Sequence, residues 1–83
     1  MKFTDKQGKK LREEIERVLS EDKLTSIFSE YPEKFGANFY NQIPGGEYRT
    51  RLVNVIIELT NKELISDFIQ AVYQKYGTEL VVS

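Results

Sequence analysis

The chain has 83 residues, 40% apolar and 30% charged, with 12 basic against 13 acidic side chains and a net charge of −1. That length makes one small domain, residues 1–83, with a modest core over about 3–77. So even a balance excludes an overall field drawing it to nucleic acid or an anionic membrane. The absence of Cys and His excludes disulfides, the usual zinc sites and Ser–His or Cys–His nucleophiles.

The elements read in chain order. Thr4 with Gln7 three residues on fits a capping box, and Leu11, Ile15, Val18 and Leu19 then form one helical stripe. Lys9–Glu13, Lys10–Glu14 and Glu13–Arg17 are spaced for weak ion pairs along its outer face. Ser20 is placed to cap a second helix, with Glu21 and Asp22 in its first turn and a stripe of Leu24, Ile27, Phe28 and Tyr31 that Pro32 ends. A short third element carries Phe35, Phe39 and Ile43 on one side, with Tyr40 beside them and Gly36 interrupting it.

Pro44-Gly45-Gly46 is the strongest punctuation in the chain and reads as a flexible corner. Glu47 then opens a fourth helix with a stripe of Tyr48, Leu52, Val55, Ile56 and Leu59, which Val53 and Ile57 widen. The run is rich in β-branched residues, but its 3.6-residue period favours helix over strand. Thr60 with Glu63 fits the capping box of a fifth helix. Its broad apolar face holds Leu64, Ile65, Phe68, Ile69, Val72, Tyr73 and Tyr76, and Gly77 suits its end. Leu80-Val81-Val82 is a short apolar tail, expected to dock as a last turn or to be the cut end of a longer chain. The expected architecture is all-α: a compact bundle of five to six helices, neighbours antiparallel across short connections.

Chemistry-bearing patterns are scarce. Ser20, Ser26, Ser29 and Ser66 read as caps or helix surface, and the adjacent Glu13 and Glu14 point in different directions. Gly45-Gly46 lacks the Lys-Ser/Thr of a phosphate loop. The expectation is therefore a protein that is not an enzyme, with no metal and no cofactor. No stretch reaches the ~20 apolar residues of a membrane helix, and Met1-Lys2-Phe3-Thr4 opens no signal-peptide run, so the expected compartment is the cytoplasm.

What remains is surface. Lys9, Lys10, Arg12, Arg49 and Arg51 form the candidate basic side, and Glu13, Glu21, Asp22, Glu30 and Glu33 the acidic side. Tyr40 and Tyr48 flank the glycine corner as candidate exposed aromatics, Tyr48 being included in the candidate interaction surface. The basic residues also allow a lesser reading, a small helical nucleic-acid-binding domain, although Glu13, Glu14, Glu16 and Glu47 crowd them.

Several segments together resemble a known family. Phe39 to Ile43 leads into Pro44-Gly45-Gly46; a helix with Leu52-Val53 and Ile56-Ile57 follows, then Asp67-Phe68-Ile69 and an aromatic end at Tyr76. With Thr4-Asp5-Lys6-Gln7 and Leu11 at the start, roughly residues 3 to 80 resemble the effector-associated domains of bacterial multidomain proteins, members of the death-like superfamily. The chain departs from that pattern at Leu59, where relatives often carry Trp, and in a shorter loop at Thr60 to Glu63. The resemblance implies a death-like bundle of about six helices acting as a non-catalytic adaptor. It implies homotypic docking, on a like domain of another protein or by self-association, that recruits an effector such as a peptidase in bacterial defence or cell-death signalling.

Overall fold

Ser20 caps the second helix, as its position suggests: its hydroxyl accepts from the Lys23 N–H at 3.4 Å. The computed structural model describes residues 5–80. Five α-helices fall within them: α1 (Asp5–Val18), α2 (Glu21–Glu30), α3 (Pro32–Phe35), α4 (Tyr48–Asn61) and α5 (Ile65–Tyr76), with a 3₁₀ turn at Tyr40–Gln42. No strand occurs among the described residues. The expected cap at Thr4, and Val81 and Val82 of the tail, lie outside them.

Pro32 ends α2 and serves as the first residue of α3, where its missing N–H costs nothing. Gly36, at φ 96°, ends α3 and splits the third element into the single turn of α3 and the 3₁₀ turn. Gly77 closes α5 in the left-handed conformation, φ 67°, with its N–H on the Tyr73 carbonyl. Beyond it Leu80 is buried, so the tail docks at that residue, in chain without regular structure and not as a helical turn.

The stripes meet in one core. Leu11 and Ile15 come from α1 and Leu19 from just after it, Leu24, Ile27 and Phe28 from α2, Leu52, Val55, Ile56 and Leu59 from α4, and Phe68, Ala71 and Val72 from α5. Phe28 stands at the aromatic centre, with ring centroids 4.7 Å from Phe39, 5.1 Å from Phe35, 5.6 Å from Phe68 and 6.1 Å from Tyr40. Offset and edge-on contacts at these distances add to the burial itself.

One helix boundary is corrected. Thr60 does not cap α5; it lies in the last turn of α4, and its hydroxyl donates to the Ile56 carbonyl at 2.7 Å. Glu63 ends α4 with φ 58°, its N–H on the Thr60 carbonyl and that of Leu64 on the Leu59 carbonyl. That is a Schellman closure, completed by Leu59 and Leu64 packing in the same core. The spacing Thr-x-x-Glu is shared by a helix start and by this helix end. The core contact of Leu64 decides between them.

Candidate interaction surface

The end of α1, the start of α2, the 3₁₀ turn and the start of α4 converge on the Pro44–Gly46 corner. The corner is fastened, correcting the flexible hinge expected there. Arg51 donates to the Gly45 carbonyl at 2.8 Å, and Asn54 donates to the Pro44 carbonyl at 2.8 Å. Gly45 has φ 136°, and a Cβ there would stand 3.0 Å from the backbone N and Cα of Arg51. Only glycine lets the chain lie this close to the first turn of α4.

Both tyrosines of the corner are drawn inward, contrary to the expectation of exposed aromatics. Tyr40 is buried; its hydroxyl donates to Glu21 at 2.7 Å, and the Arg51 guanidinium lies 5.1 Å from its ring centroid. Burial first, then the Glu21 carboxylate, pushes its pKa up to about 12. Tyr48 is half-buried and donates to the Leu19 carbonyl at 3.2 Å. Burial, then the Tyr40 hydroxyl and the charges of Glu21 and Glu16, raises its pKa well above the usual value.

The basic side is also largely engaged. Arg12 bonds Glu16 at 2.7 Å, and Arg49 reaches the same carboxylate from α4 at 3.3 Å. Burial alone would raise the Glu16 pKa, but the bonds and charges of the two guanidiniums outweigh it and hold it below the usual range. Two cations on one carboxylate leave this cluster with a surplus positive charge. Arg51 is built into the corner, its Nε buried without a hydrogen-bond partner. Lys9 and Lys10 are exposed on α1, as is Glu13. Arg17 closes on Glu14 at 2.5 Å, in place of the expected Glu13.

The acidic residues do not form one engaged set. Glu21 is held by Tyr40; Glu30 is paired with Lys75 of α5; Asp22 and Glu33 are exposed. Among the described residues no group of three or more carboxylates is gathered closely enough to hold a metal ion, and no helix is long and apolar enough to cross a membrane.

The main surprise lies on the outer faces. Val53, Ile57 and Tyr73, all expected on core stripes, are 42%, 50% and 56% exposed. A shallow groove of about 410 Å³ runs along α5, lined by Ser66, Ile69, Gln70, Tyr73 and Glu79. A second, of about 280 Å³, lies between α2 and the 3₁₀ turn over Phe28, Phe39 and Tyr40, rimmed by Thr25, Ser29, Asn38 and Asn41. The exposure follows from helix geometry. At about 100° per residue, Val53 and Ile57 sit about 100° and 140° round from Leu52, and Ile69 and Tyr73 make the same angles with Phe68. The core contact arc leaves Val53, Ile57 and Tyr73 outside it, while Ile69 stands at its edge, partly buried against the core.

No family model, curated protein or solved structure matches the chain.

Proposed function

We propose that the chain is a non-catalytic adaptor domain that docks on a like domain and thereby recruits an effector, such as a peptidase, in a bacterial defence or cell-death signalling system. The observation that carries this reading is the set of off-stripe apolar side chains Val53, Ile57 and Tyr73, exposed on the outer faces of α4 and α5 over a core that is already complete. Apolar and aromatic side chains left outside a finished core are the usual centre of a protein interface. The family resemblance supplies the adaptor role and the kind of partner.

The nucleic-acid alternative loses its best residues. Arg12 is bonded to Glu16 and Arg51 is tied to Gly45 and Tyr40, so a phosphate-binding patch would rest on the exposed Arg49, which shares Glu16, and on α1 lysines beside Glu13. Calorimetric titration against any like domain found encoded in a neighbouring gene tests the proposal. Binding that weakens from about 50 to about 500 mM salt and on Arg49→Glu is expected. No binding to any like domain, together with a salt-steep shift of duplex DNA or RNA, would replace the adaptor with the alternative.

A further inference from the structure

We infer that two copies of this chain dock on each other, the outer face of α4 in one lying antiparallel along the α5 groove of the other. Docking of this kind is a specific form of the homotypic adaptor and rests on that reading. Three features of the two surfaces agree.

The first is apolar spacing. Val53 and Ile57 are four residues apart on α4, and Ile69 and Tyr73 are four apart on α5, so each pair spans about 6 Å along its helix. They are equivalent in position, and the three most exposed large apolar side chains of the described residues belong to them. Laid antiparallel, Val53 meets Tyr73 and Ile57 meets Ile69.

The second is charge. Arg49 lies one turn before Val53, its side chain 72% exposed, in the cluster where two guanidiniums share Glu16. The antiparallel arrangement carries it to the C-terminal end of the facing α5. Glu79 stands there on the groove rim, exposed and in no ion pair among the described residues. The last carbonyls of α5 add partial negative charge at the same place. A parallel arrangement would instead set Arg49 at the positive end of α5 and leave Glu79 unanswered.

The third is that one chain carries both complementary halves. A foreign partner would need to match only one of them. A second copy matches each with the other.

Sedimentation equilibrium at about 50 mM salt tests this. Wild type is expected to self-associate. Ile57→Asp and Tyr73→Asp, at exposed positions and checked for retained helicity by circular dichroism, are each expected to weaken self-association by about tenfold or more. An equimolar mixture of the two variants is expected to recover a one-to-one complex, because each retains the half the other lacks. Arg49→Glu weakens association, and adding Glu79→Lys restores it. A mixture that stays monomeric while wild type associates overturns the α4-to-α5 docking and leaves the homotypic adaptor standing. Wild type monomeric at about 0.5 mM overturns it also; binding of a like domain from another chain then still preserves the adaptor, and its absence removes both.

Discussion

The corner between the 3₁₀ turn and α4 and the outer faces of α4 and α5 differ in an instructive way. In the corner, residues with the look of binding groups hold the fold together: Tyr40 bonds Glu21, Tyr48 bonds the Leu19 carbonyl, and Arg51 bonds the Gly45 carbonyl while covering the Tyr40 ring. On the outer faces, residues with the look of core stand in solvent: Val53, Ile57 and Tyr73. A charged or aromatic side chain beside a turn is available for partners only if the turn does not need it. An apolar side chain on an amphipathic helix is core only if it lies within the arc its neighbours cover.

The widest test of this contrast is within the glycine pair. Gly45→Ala sets a Cβ at 3.0 Å from the Arg51 backbone at φ 136°, whereas a Cβ on Gly46 meets nothing within 4 Å. Urea unfolding is expected to show a loss of about 2–3 kcal/mol for Gly45→Ala. Gly46→Ala is expected to stay within about 0.5 kcal/mol of wild type. Equal effects at the two positions would mean that the corner is not packed on α4.

Tyr40→Phe sharpens the contrast next. Losing the bond to Glu21 is expected to cost about 1 kcal/mol at neutral pH. The sign with pH follows from a pKa raised from 10.0 to about 12. The fold favours the protonated phenol, so this contribution is full below pH 10 and is lost as pH rises through about 12. Wild type should therefore lose stability more steeply than Tyr40→Phe over that range, measured as the urea midpoint against pH. Parallel curves would place the Tyr40 hydroxyl in solvent.

Glu63→Gly acts at the α4–α5 turn, away from both regions. A side chain at φ 58° is strained, and relieving it should raise stability by about 0.5–1 kcal/mol, the gain being partly offset by a looser unfolded chain. A loss of stability would argue that Glu63 starts α5 after all.

The smallest effect is at Glu16, where the two regions join. Glu16→Gln should cost about 0.5 kcal/mol, because the pairs it makes are partly exposed. Its pKa is depressed below 4.5, so the contribution is present above that pH and is lost as pH falls through the lowered value. The difference between wild type and Glu16→Gln should thus vanish in acid. A difference that persists there would assign the effect to packing.

Much of the fold is legible because it is local. Ser20, Pro32 and Gly77 mark helix ends through bonds or exclusions within a few residues, and the stripes on α1 and α2 pack as their spacing implies. The corner is not legible, because its meaning lies in partners far along the chain: Tyr40 is 19 residues from Glu21, and Tyr48 is 29 from Leu19. Without the packing of the 3₁₀ turn on α2 and of α4 on the end of α1, both tyrosines look free. The outer faces carried a readable signal that a list of apolar positions obscures. Leu52, Val55, Ile56 and Leu59 already fill one face, so the angular offset of Val53 and Ile57 marks them as surplus.

The most direct test is paired urea unfolding of Arg51→Met and Ile57→Ser. Arg51→Met should lose about 1–3 kcal/mol, because it releases the Gly45 carbonyl and uncovers Tyr40. Ile57→Ser should change stability by less than about 0.5 kcal/mol. A neutral Arg51→Met beside an Ile57→Ser costing about 2 kcal/mol or more would reverse the assignment, making the corner the surface and the outer face of α4 the core.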